Sequence, residues 1–248
     1  MSRKNSIPKF VPTQSGLFSV WEHPIPGEKY VVGIDTATGL STDYTSMSVY
    51  NCRLPKFRQV AHLRAKIGIT KATDYADRLG RFYNNALIVP EANHCGSALI
   101  DGLIVTYKYP RLYQGEQHLS EDPDISTKFG FYTLEATKWM LIRQMEKALI
   151  DKTIEIVCEI TLTELGQFVY LEDRSKTGAP SGFNDDSVIS SMLALHGCIL
   201  YPQRAIVTSV KQTLSDDQLQ QRAMMDRFNN QIFSKMTNNM RKDNIKIA

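Results

Sequence analysis

Four acidic side chains stand at the ends of apolar stretches, where chemistry is easiest to build: Asp35, Glu91, Asp185 and Asp186. Asp35 closes the run YVVGID, whose Tyr30, Val31, Val32 and Ile34 suit a buried strand, and the chain breaks soon after at Gly39. A carboxylate placed there needs a partner, either the backbone of the next turn or a cation. Glu91 follows Ala86 to Pro90 (ALIVP), an unalternating apolar run of the kind found in a central strand covered on both faces. Asp185 and Asp186 precede the apolar run Ser187 to Leu200 and fall in the first turn of a helix, with Asn184 as its expected N-cap. Acids in that turn gain about 0.3 to 1 kcal/mol from the helix dipole without any further role. If the strands ending at Asp35 and Glu91 are adjacent and parallel, both carboxylates emerge at one sheet edge, and a helix across that edge brings Asp185 to them. Three such groups cannot all stay ionised in a small space unless cations compensate them. Mg²⁺ suits the need, because it takes oxygen ligands, keeps several waters and accepts substrate phosphate. Two ions about 3.5 to 4 Å apart would serve phosphodiester cleavage, one activating water and the other stabilising the leaving oxygen.

The elements that must position these groups follow from periodicity. Thr45 to Cys52 and Arg58 to Arg64 alternate as strands around a Pro55 turn, so with the Asp35 strand they form an antiparallel meander. Thr70 to Tyr83 has Ala72, Tyr75, Ala76, Leu79 and Phe82 at helical spacing, with Lys71, Asp74, Asp77 and Arg78 expected to face water. Gly96 to Thr106 reads as helix, Tyr107 to Tyr113 as strand, Gln114 to Gly130 as a polar connection, and Leu134 to Ile150 as a helix with a stripe of Leu134, Leu141, Met145 and Leu149. Thr161 and Glu164 have capping-box spacing, Gln167 to Glu172 suits an extended segment, and Arg174 to Gly182 an exposed loop. Residues 1–28, rich in Pro, Ser and Gly, form an expected N-terminal arm anchored by Phe18 and Trp21. The main domain is expected over 29–202, and a basic tail over 203–248 carries one more amphipathic helix.

Composition narrows the function classes. The 248 residues carry a net charge of +3, but residues 201–248 hold eight Lys or Arg against four Asp, so the rest is close to neutral. The main domain is therefore no polybasic nucleic-acid binder, and any contact with DNA must use local patches and bound cations. The four cysteines show no CxxC pair, which argues against a disulfide framework or a zinc ribbon. No apolar run approaches the roughly 20 residues that span a bilayer, and the opening residues lack the core of a secretory signal.

GIDTATG with Asp43 and Tyr44 after it, EANHCG, and FNDDSVISSMLAL resemble signature stretches of the nuclease domain of the large terminase subunit of tailed bacteriophages. GFYTLEATKWMLIRQMEKALID and the ITLTELGQF stretch are also similar to that family, so the resemblance covers most of residues 17–200. It implies an RNase H-like fold, of RuvC and integrase type, with a mixed central sheet flanked by helices. The implied activity is metal-dependent endonuclease cutting of concatemeric viral DNA during genome packaging, with two Mg²⁺ or Mn²⁺ ions. By the same resemblance, Asp35, Glu91 and Asp185 match the catalytic, metal-binding carboxylates, and Asp186 matches a neighbour that assists. The implied partners are double-stranded DNA, the portal protein, the small terminase subunit and a packaging ATPase, and the implied location is the cytoplasm of the infected host. Nothing in the chain resembles a GxxxxGK[ST] phosphate loop, so it is not expected to drive packaging alone.

Around these groups, Asn93 and His94 are candidates to orient substrate or water, Arg174 and Lys176 to touch phosphates, and Asp43 to shape a turn. Two other readings stand beside the first: a Holliday-junction resolvase or transposase-like nuclease, and a module docking on the portal or a separate ATPase.

Overall fold

The computed structural model describes residues 17–38, 44–115, 129–170, 177–178 and 184–201. In chain order these form β1 (Leu17–Val20), β2 (Tyr30–Asp35), β3 (Thr45–Asn51), β4 (Phe57–Ala65), α1 (Ile69–Phe82), β5 (Leu87–Pro90) and α2 (Gly96–Asp101), which runs into a π-helical turn at Gly102–Thr106. Next come α3 (Glu135–Ile150), β6 (Ile154–Glu155), α4 (Glu159–Gln167), a small hairpin of β7 (Val169–Tyr170) and β8 (Thr177–Gly178), and α5 (Asp186–Leu200). Among the described residues no helix is long and apolar enough to cross a membrane.

The sheet order is β1-β4-β3-β2-β5, with β6 beside the first residues of β4. β2, β3 and β4 are the expected antiparallel meander, and β5 lies parallel to β2 on its other side. A meander extended by a parallel fourth strand, with helices on both faces, is the RNase H-like arrangement. Alternation along β2 builds its two faces. Val32 and Ile34 pack with Met47, Leu63 and the α1 residues Ala72, Tyr75, Leu79 and Phe82. Val31 joins Val89, the α3 residues Leu141, Ile142 and Met145, and the α5 residues Val188, Met192 and Leu195 on the opposite face. β5 contributes Ile88 to the first cluster and Val89 to the second, which explains its run of apolar residues.

Several expectations are corrected in detail. Within the segment expected as an arm, Leu17–Val20 enters the sheet as an edge strand antiparallel to β4, with Phe18 packed on the core. Asp77 is buried, because its carboxylate accepts from Arg81 Nε at 2.8 Å while Arg81 reaches on to the Tyr107 carbonyl, also at 2.8 Å. The strand expected over Tyr107 to Tyr113 is only a bridge from Leu112 to Ile88. The N–H groups of Tyr107 and Tyr109 are already donated to Gly102 and Leu103, and Lys108 turns through φ 47° between them. On α3 the buried stripe is Leu141, Ile142, Met145 and Ala148; Leu134 precedes the helix and Leu149 lies one position round, and both are exposed. The capping box at Thr161 and Glu164 does not form. Gln59 Oε1 accepts from the N–H groups of Val157 and Cys158 at 3.0 and 2.9 Å, α4 starts at Glu159, and Thr161 and Glu164 are buried inside it.

α5 lies so close to β2 that a Cβ on Gly33 would overlap the Ser190 carbonyl and the Ala194 amide nitrogen. Both obstacles are helix backbone, which cannot rotate away. A Gly33→Ala substitution is therefore expected to destabilise the protein by about 3 kcal/mol through overpacking, measured by urea denaturation. A change under about 1 kcal/mol would show that α5 yields easily.

Candidate functional site

The parallel register between β2 and β5 places Gly33 opposite Val89 and Ile34 opposite Pro90. Asp35 and Glu91 are the next residues on each strand, and the ladder continues between them, since the Glu91 N–H donates to the Ile34 carbonyl at 2.8 Å. Paired residues of parallel strands point to the same face, so both carboxylates lie on the α5 side. Glu91 is held from its far side by a bridge to Phe131, and a Cβ on Gly96 would overlap the Glu91 carbonyl, so the start of α2 closes over the strand end. The expectation that Asp35 and Glu91 share one sheet edge is met.

The first turn of α5 arrives at the same place. Asp35 pairs with Ser46 on β3, and Ser46 Oγ is 2.9 Å from Ser190 Oγ. Ser48 Oγ in turn lies 2.9 and 3.0 Å from the hydroxyls of Ser190 and Ser191 and 3.1 Å from His62 Nδ1. This layer of small hydroxyls fills the space that larger side chains would need and satisfies its own polar atoms. Asp185, not Asn184, occupies the N-cap position, and its side chain caps nothing. The cap is supplied from elsewhere in the chain: Glu164 Oε2 accepts from the Ser187 N–H at 2.8 Å. Glu164 Oε1 is 3.3 Å from the guanidinium of Arg64, which is 3.9 Å from Asp186 Oδ2 and stacked 3.7 Å above the centre of the Tyr44 ring. The Tyr44 N–H also donates to Asp186 Oδ2, at 3.4 Å.

The charges converge accordingly. Burial first, then the Glu91, Asp186 and Asp185 carboxylates, push Asp35 well above the usual carboxylate range. Asp186 is pushed up to about 7, by burial and then by the Glu164 charge, against the opposing pull of Arg64. Cys95 donates its S–H to the Thr36 carbonyl at 2.9 Å, and its thiol is raised by burial and by Asp35 and Glu91. Among the described residues, no three His, Cys, Asp or Glu side chains stand close enough together to hold an ion as one group. Asp35 and Glu91 are the near pair, and the two aspartates reach Asp35 through charge.

The remaining expected residues divide. Both ends of the Asn93 amide are engaged by Thr133, with Nδ2 donating to its carbonyl at 2.7 Å and Oδ1 accepting its N–H at 3.1 Å. His94 is exposed, at φ 49°. Arg174, Lys176, Asp43 and the C-terminal tail lie outside the described residues. Arg64, Glu164 and Tyr44 were not anticipated. The available signals were a second arginine, Arg64, at the far end of β4, and a glutamate that capping-box spacing explained too readily.

No family model and no curated protein sequence matches the chain. Solved structures do. The large terminase nuclease from thermophilic phage G20c with bound magnesium aligns with 79% of this chain and 91% of its own, at 18% identity and TM-score 0.57. The same nuclease with bound cobalt gives the same figures. The large terminase nuclease domain of Thermus phage P74-26 aligns over 73% of this chain and 86% of its own, at 19% identity and TM-score 0.52. At such identities the likeness establishes the fold.

The electrostatics have a measurable sign. A carboxylate raised in the folded state leaves stability intact below its unfolded value and takes stability away as pH climbs from there through the folded value. Asp35→Asn removes the ionising group, so in chelator its advantage over wild type should widen as pH rises from about 4 to 7, read by thermal melts at each pH. An advantage that stays constant or shrinks would mean Asp35 is not held above its normal range.

Proposed function

We propose that this chain is a divalent-metal-dependent DNA endonuclease, the nuclease part of a phage genome-packaging terminase, cutting concatemeric DNA. The observation that carries the reading is the side-by-side emergence of Asp35 and Glu91 from parallel β2 and β5, with the aspartates of α5 near enough to act on Asp35 through charge. The likeness in fold to terminase nucleases crystallised with magnesium, cobalt and zinc supports it.

The donor set suits a hard divalent cation. Every acid in it offers carboxylate oxygen, and the nearby thiol of Cys95 is engaged with the Thr36 carbonyl. The crowding that raises Asp35 is the electrostatic signature of a cluster whose compensating positive charge is a cation. Asp35, Glu91 and Asp185 would hold the metal, with Asp186 assisting; Mg²⁺ or Mn²⁺ supplies activation of a water and stabilisation of the leaving oxygen. The chain's own residues do the rest. β2 is an interior strand, and β5 is held between it and the bridges to Leu112 and Phe131, so Asp35 and Glu91 have little freedom and the substrate phosphate would be drawn to a preset edge. The N-terminus of α5 directs its dipole to the same edge, favouring phosphate there. Phosphate and metal contacts carry no base information, so cutting would show little sequence preference.

Asp35→Asn and Glu91→Gln should each reduce cleavage of plasmid DNA in Mn²⁺ to background while the circular dichroism spectrum stays native. Cutting by Asp35→Asn at the wild-type rate would sink the assignment. Preference for four-way junctions over linear duplex would favour the resolvase reading instead.

A further inference from the structure

We infer that Glu164 is a positioning residue for the acidic edge, acting through α5 and through Arg64; the inference rests on the nuclease reading. Two observations carry it. First, the carboxylate divides its oxygens between two tasks. Oε2 takes the Ser187 N–H, an orphan donor of the helix turn that carries Asp186, and Oε1 faces the Arg64 guanidinium. Second, Arg64 is itself shared. It lies 3.3 Å from Glu164 and 3.9 Å from Asp186, and Tyr44 stacks against its face. All three charged groups are largely removed from solvent, with side-chain exposures of 9% for Arg64, 7% for Glu164 and 13% for Asp186.

The arrangement is a competition between two carboxylates for one cation. In low-dielectric surroundings the guanidinium goes where the negative charge is greater. With Glu164 present, Arg64 is held 0.6 Å closer to it than to Asp186 and engages Asp186 only at the longer distance. Without the Glu164 charge, Arg64 would close on Asp186, neutralise it and compete with a metal for its oxygens. The planar fork of arginine, unlike a lysine ammonium, can address both carboxylates at once.

Glu164→Gln is the informative variant, because the amide oxygen still accepts the Ser187 N–H while the charge is lost. The full-length protein, titrated with Mn²⁺ alone and followed by electron paramagnetic resonance, should show a Kd raised about tenfold, in the range typical for groups that support metal ligands. Its melting temperature in chelator should stay within a few degrees of wild type. In an Arg64→Gln background the same change should shift the Kd by less than about twofold. An unchanged Kd for Glu164→Gln, or an equal rise with and without Arg64, overturns the inference, as does a loss of melting temperature with an unaltered Kd. Should Glu164→Gln fail to fold, Arg64→Gln alone replaces it: with the competing guanidinium gone, a Kd at or below the wild-type value supports the inference and a Kd raised about tenfold overturns it. Loss of Mn²⁺ binding in Asp35→Asn alongside a wild-type Kd in Glu164→Gln overturns this inference alone. A wild-type chain that binds no Mn²⁺ overturns the nuclease reading and this inference with it.

Discussion

The approach of α5 to the sheet at Gly33 governs the rest of the structure. Helix backbone occupies the place where any side chain on that residue would lie, and its neighbours are chosen to permit the contact. Ser46 and Ser48 on β3 meet Ser190 and Ser191 on the helix, Ala194 lies over Gly33 itself, and Gly197 admits Val31 and Val89. Each hydroxyl pair contributes only about 1 kcal/mol net, so the layer adds little to stability beside the apolar burial around it. What it contributes is direction. Hydroxyl pairs match at only one setting of helix against sheet, whereas Val31 and Met192 would tolerate a small slide. That setting aims the N-terminus of α5 at the end of β2.

This packing creates the electrostatic tension at the edge. Bringing the helix start to Asp35 also brings two aspartates to a carboxylate that Glu91 already crowds. The α5 dipole offsets part of the repulsion, and Arg64 offsets part at Asp186, yet Asp35 stays raised. Stability is thus given up locally where binding of a cation would recover it. The two apolar clusters on either side of the sheet make that local loss tolerable for the fold as a whole.

How far the residues alone could be read depended on whether a feature was local. The meander, the helix from Ile69 and the apolar β5 follow from alternation, helical spacing and unbroken hydrophobicity, and each appears within a residue or two of its expected bounds; β5, expected at a central position, is covered on both faces but ends the sheet order. The placement of Asp35 and Glu91 was legible too, because each ends an apolar strand and parallel neighbours share an edge. Tertiary competition set the limits. Glu164 has the spacing of a capping glutamate, but Gln59, about a hundred residues away in sequence, had already taken the start of α4. Freed from its own helix, Glu164 caps another. Asp77 looked like a solvent-facing residue until the Tyr107 segment and Arg81 covered it. In each case a segment distant in the chain takes part, Gln59 for α4 and Tyr107 for Arg81, and no window of local periodicity contains it.

The parallel ladder between β2 and β5 also determines where the chain can vary in length. Between Asp35 and Glu91 lie two more strands, a helix and their connections, all on a detour that leaves and returns to β2. Residues added in the connections of that detour lengthen the loop and leave the two carboxylates side by side. One residue added inside Leu87–Pro90 would turn Glu91 toward the α1 face, among Ile34 and Leu99, and separate it from Asp35. The pairing of Asp35 with Glu91 is therefore indifferent to the length of the connections in that detour and sensitive to a single peptide unit in the last four residues before Glu91.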